Sequence, residues 1–112
     1  MAVLSSHNPG VLHHLPISTA ASGDTTILAA VTGKRLLLLS YALVASGAVA
    51  VKFKSGSTDL SGAMALAANG SLTGSLNKYG HVATAAGQAL ILNLGTGVQV
   101  SGHATVLEVT EV

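Results

Sequence analysis

Ala48-Val49-Ala50-Val51-Lys52-Phe53-Lys54 is the stretch that decides the fold. In an extended chain it puts Val49, Val51 and Phe53 on one side and Ala50, Lys52 and Lys54 on the other. Period two is the mark of a half-buried strand, with one face in a core and one in water. Immediately upstream, residues 36–46 are apolar at both parities, which predicts a longer strand buried in the middle of a packed assembly. Gly47 separates the two runs.

Working outward, the same alternation recurs between turn residues. Residues 25–31 place Ile27, Ala29 and Val31 on one face, and residues 89–94 do the same with Leu90, Leu92 and Leu94. Residues 55–59 (Ser-Gly-Ser-Thr-Asp) read as a polar turn. Residues 60–66 read as a short strand ending at the Asn69-Gly70 turn, despite some helical propensity in the alanine-rich run. Residues 71–76 make another short strand, 77–80 a loop, and 98–109 the last strand, with Gly102 as a bulge or close-approach point. Short strands at this spacing with no credible long helix predict an all-β domain of about eight strands, a sandwich, jelly roll or barrel.

Residues 1–16 differ from the rest. They hold three of the five histidines and both prolines and show no alternation after Leu4, so they are read as an extended N-terminal arm on a domain of residues 17–112. The stretch 1–9 has no basic region followed by an apolar run and is not read as a secretion signal.

Composition narrows the partners. Of 112 residues, 49% are apolar but only 3% are aromatic, so the core must be built from Leu, Val, Ile and Ala. Only 8% are charged, against about a quarter in ordinary soluble domains, which predicts that copies of the chain cover part of one another's surface. A net charge of +1 gives no attraction to nucleic acid or anionic membrane. Lys52 and Lys54 share a strand face, but lysine there also blocks unwanted edge pairing. Residues 36–51 carry no charge, yet they fall short of the ~20 residues that span a bilayer and contain Ser40, Ser46 and Gly47. No membrane segment is expected. Cysteine is absent, which removes disulfides and thiolate metal sites.

The histidines are the first candidates for chemistry. His13 and His14 are adjacent, so their side chains point to opposite sides of an extended chain and cannot chelate one ion together. Their plainer reading is a structural or solvated role; as candidates for contact with a partner they are grouped with Tyr79 in its glycine-flanked loop. His103 lies mid-strand between Ser101 and Thr105 on its own face. The plainer reading makes it a surface histidine with one hydrogen bond; the other sets it in a ring of symmetry-related histidines near a trimer axis. The two-sided apolar strand supplies Leu37, Leu39, Tyr41 and Leu43, taken with His103 as the oligomer interface.

Catalytic patterns are missing. The four acids include two at the C-terminal end, and nothing pairs carboxylates across a cleft. There is no G-x-S-x-G elbow in context and no phosphate loop, and Gly95-Thr96-Gly97 precedes a strand rather than a helix. No enzyme, cofactor or metal is expected.

Four runs carry a resemblance: Ile27-Leu28-Ala29-Ala30-Val31-Thr32-Gly33-Lys34-Arg35, Tyr41-Ala42-Leu43-Val44-Ala45-Ser46-Gly47-Ala48-Val49, Phe53-Lys54-Ser55-Gly56-Ser57 and Ala83-Thr84-Ala85-Ala86-Gly87-Gln88-Ala89-Leu90. Together they resemble small virion proteins of tailed bacteriophages, of the head decoration (cement) type, over residues 20–107. The resemblance implies a small trimeric jelly roll, made in the host cytoplasm, that sits on the capsid exterior and clamps neighbouring major capsid proteins. It transfers no catalytic residue. The alternative is a tail-fibre or baseplate jelly roll that binds host-surface glycan. A secreted trimeric ligand of the tumour-necrosis-factor type shares the fold argument but expects a secretion context.

Overall fold

Ten strands form two antiparallel sheets in the computed structural model, which describes residues 10–110. The first sheet runs β1 (Val11–Thr19), β10 (Val100–Thr110), β3 (Lys34–Ala45), β7 (Ser71–Gly74), with β8 (Val82–Ala83) also on β3. The second runs β2 (Gly23–Leu28), β9 (Leu90–Leu94), β4 (Val49–Ser55), β5 (Thr58–Asp59), with β6 (Met64–Leu66) also on β4. The chain crosses between the sheets after β1, β2, β3, β6, β8 and β9, and the first and last strands pair, so it is wound as a jelly roll.

Seven of these strands fall on the runs that alternation predicts. The other three have physical reasons for being missed. β5 and β8 are two residues long, too short to show a period. β1 is the larger correction. The expected arm boundary after residue 16 does not exist, because residues 11–19 form one strand paired with β10 from Val11↔Glu108 to Thr19↔Val100. Pro16 lacks an N–H, and proline is tolerated in a strand at a sheet edge, which is where β1 lies. The remainder of the expected arm, residues 1–9, lies outside the described residues.

The core is aliphatic between the sheets. Phe53, Leu36, Leu38, Leu43, Leu90, Leu92, Val51, Val100 and Val106 are all 2% exposed or less. β4 behaves as its alternation predicts, with Val49, Val51 and Phe53 buried and Ala50, Lys52 and Lys54 facing out.

β3 carries a slip. Thr105 pairs Ser40 while Val106 pairs Leu38, so Leu39 is an extra residue in β3. A bulge of one residue reverses which parity faces the core. Leu36 and Leu38 point inward before it; Leu43 and Ala45 point inward after it. The bulge also frees backbone groups at the sheet edge: Asn77 N–H donates to the Leu39 carbonyl (2.9 Å) and His81 N–H to the Leu38 carbonyl (2.7 Å). The connection between β7 and β8 is thereby tied to the edge. Gly102 is a close approach, as expected, rather than the bulge: a β-carbon there would collide with the Ala42 carbonyl of β3.

Two buried polar side chains close one end of the sandwich. Thr84 Oγ1 accepts from Leu36 N–H (3.0 Å), and Ser55 accepts from Ala85 N–H (3.0 Å) while donating to Gln88. Among the described residues no buried side-chain nitrogen or oxygen lacks a partner. No helix of the described residues is long and apolar enough to cross a membrane.

Candidate functional site: two unlike faces and an edge loop

The two solvent faces of the sandwich differ in charge. On the β2–β9–β4 sheet the outward residues include Asp24, Asn93, Lys52 and Lys54, and the adjoining β5 adds Asp59. Lys54 pairs with Asp24 (3.2 Å), Lys52 with Asp59 (3.1 Å), and Asn93 Nδ2 donates to Asp24 (2.7 Å). The hydrogen bond from Asn93, then that from Lys54, holds the Asp24 carboxyl below its ordinary 3.8. The two lysines are therefore neutralised and form no basic patch.

The opposite face is uncharged over four rows of facing side chains. Register sets them as Leu12–Leu107–Leu37, His14–Thr105–Ser40, Pro16–His103–Ala42–Thr73 and Ser18–Ser101–Val44–Ser71. Arg35 lies just beyond the first row and donates to the Thr84 carbonyl (3.0 Å). Within the four rows the only ionisable groups are His14 and His103. An open trough of about 340 Å³ lies over them, lined by residues of β1 and β10 that include Pro16 and Gly102.

The edge loop, residues 75–81, is the third feature. Besides its two bonds to β3, Tyr79 N–H donates to Asn77 Oδ1 (2.9 Å), Gly80 N–H to the Asn77 carbonyl (2.9 Å), and His81 Nε2–H to the Ser75 carbonyl (2.6 Å). Gly80 has φ 87°, a left-handed conformation that glycine takes without strain. The loop thus holds Leu76 and Tyr79 out at 73% and 78% exposure, with Lys78 over the Tyr79 ring.

The expected site residues are dispersed by this geometry. Leu43 is fully buried and has no surface to offer an interface, while Tyr41 is half-buried and packs on the core with its ring edge-on to Phe53 (centroids 5.1 Å). Leu39, 7% exposed, is buried as well. Of the five residues expected there, only Leu37 and His103 lie on the outer face. Adjacent His13 and His14 do point to opposite sides: His13 donates to Glu108 (3.1 Å), while His14 lies 3.3 Å from the Thr105 hydroxyl on the outer face. Tyr79 is exposed. Leu12, Val44 and Leu76, all at least half exposed, were missed. Leu12 falls in the stretch read as an arm, and Val44 in the run whose parity the bulge reverses; Leu76 looks in sequence like the end of a strand.

The described residues hold no group of three or more His, Cys, Asp or Glu able to bind a metal ion. No protein-family model matches the chain, and no curated protein matches it in sequence. Among solved structures it is similar to Bacillus endospore appendages, described as a novel family of disulfide-linked pili. The identity is 17% and the TM-score 0.54, over 93% of this chain and 90% of that one. What this likeness shows is the fold: an all-β sandwich of two antiparallel sheets.

Proposed function

We propose that this chain is a non-enzymatic structural subunit that assembles with copies of itself, as a trimer, and decorates the outer surface of a bacteriophage capsid by binding its major capsid protein. The observation that carries the structural reading is the segregation of charge. One face of the sandwich is wet and ion-paired, while the other presents four uncharged rows edged by exposed Leu12 and Val44. A face without Asp, Glu, Lys or Arg can be covered by another subunit without stranding a buried ion. The capsid setting rests on the sequence runs quoted above.

The pilus neighbour is a second setting in which a domain of this shape serves an assembly. Its disulfide links have no counterpart here, since none of the 112 residues is cysteine. Contacts between copies of this chain are accordingly non-covalent, and retention on a lattice would come from many modest contacts acting together.

The test is saturable binding of purified chain to expanded capsids that lack it, followed by cosedimentation. The reading expects a fixed stoichiometry per capsid subunit and increased resistance of the capsid to heat. No binding at any concentration would overturn the capsid assignment.

A further inference from the structure

We infer that copies of the chain join head to tail, the edge loop of residues 75–81 of one copy packing onto the uncharged β1–β10–β3–β7 face of the next. This rests on the reading of the chain as a self-assembling subunit and assigns the contact that such assembly uses.

Charge is the first argument. An oligomer contact buries its surface, and each unpaired charge buried there is costly. The four rows from Leu12 to Val44 hold no Asp, Glu, Lys or Arg, whereas the opposite face carries Asp24, Lys52 and Lys54. The loop brings one charge, Lys78, and its long side chain already lies over the Tyr79 ring, 5.2 Å from the centroid. A second copy can meet this face without stranding an ion.

Area is the second. Four strands about 4.8 Å apart and four rows about 6.7 Å apart make a face of about 500 Å². Two such faces pressed together bury about 1,000 Å², the floor for a specific interface, and would leave Leu76 and Tyr79 bare. A face-to-loop contact uses both patches. Each copy then gives its face to one neighbour and its loop to another, so neither patch is left bare.

Placement is the third. The loop leaves the sheet at the β7–β8 edge, and the trough lies at the β1–β10 edge. Two different patches at opposite edges make a heterologous contact, which closes into a ring when the rotation allows. A three-membered ring agrees with the proposed trimer. The loop is also ordered beforehand by its five hydrogen bonds, which lowers the entropy lost when Leu76 and Tyr79 dock.

The experiment uses two full-length variants and sedimentation velocity. Tyr79→Asp spoils the loop and leaves the face; Ser101→Asp with Val44→Asp spoils the face and leaves the loop. All three substitutions replace exposed side chains, and circular dichroism checks the fold. Leu76→Ser serves as a second loop variant should Tyr79→Asp misfold, and Val44→Asp alone as a second face variant. The wild-type chain is expected to sediment as a closed oligomer, and each variant alone as a monomer, with a dissociation constant raised about 30-fold or more. Mixed, the two variants retain one intact loop and one intact face between them, and are expected to form a heterodimer that grows no further.

Three results overturn the inference. Variants that assemble like the wild type would show that copies meet elsewhere, leaving self-assembly itself standing. Monomeric variants that fail to pair on mixing would show that the contact is not head to tail. A wild-type chain that stays monomeric at every concentration would remove the contact altogether, and capsid binding would then test the decoration role separately.

Discussion

Leu39 reverses the phase of the longest apolar run in the chain. Before it, even-numbered leucines enter the core; after it, odd-numbered residues do. Nothing in the composition of residues 36–45 could reveal this, because both parities are apolar on both sides of the slip. That is why Leu43 and Tyr41 were legible as buried but not as core rather than interface. Gly102 was legible for the opposite reason, since a glycine inside an alternating strand has few explanations. Gly102→Ala forces β10 away from the Ala42 carbonyl and is expected to destabilise the fold by about 1–3 kcal/mol or more, as overpacking does, measured as a lower urea midpoint. Asp24 provides a pH prediction. Its folded pKa lies below the ordinary value, so its stabilising effect is full above the unfolded pKa of about 4 and is lost as pH falls through the folded one. Asp24→Asn is expected to flatten the urea midpoint against pH on the acid side of pH 4, relative to wild type. An equally steep acid limb in the variant would place the loss elsewhere.

Strands with one wet face were readable as elements, and strands at the margin were not. β4 buries alternate residues as its sequence predicts, and β9 sends Leu90, Leu92 and Leu94 into the core as expected while also burying Ile91, which pairs with Lys54. β1 hides its identity because Pro16 and two adjacent histidines break the apolar alternation, although Leu15 and Ile17 still reach the core. This changes what a truncation measures. Removal of residues 1–16 takes away Leu15 and most of the pairing to β10, and is expected to cost at least the ~1.5–3 kcal/mol of one large apolar side chain. Removal of residues 1–9 leaves every described β1–β10 pair in place. Only the shorter truncation can test whether those nine residues contact a partner. Across the sandwich, Phe53→Ala empties the largest side chain of the core and is expected to cost about 3–5 kcal/mol in chemical denaturation.

On the scale of the whole molecule, the shortage of charge in the sequence said that copies or partners cover surface, but not which surface. The answer depends on how strands 55 residues or more apart in sequence come to lie side by side. His14 and Thr105 share a row through β1–β10 pairing, and Val44 joins Ser101 through β10–β3 pairing. Only the jelly-roll winding gathers these residues into one uncharged face and sends the ion pairs to the other. The same winding places the Leu76–Tyr79 loop at the edge opposite the trough, which favours rings or filaments over face-to-face dimers. The central claim is a structural subunit on a shell, and imaging answers it most directly. Cryo-electron microscopy of the particle assembled with this chain should show density for the sandwich on the capsid exterior, in rings of three, with the charged β2–β9–β4 face outside the contacts between copies. Particles whose heads lack that density, or carry the chain only on the tail, would contradict the account.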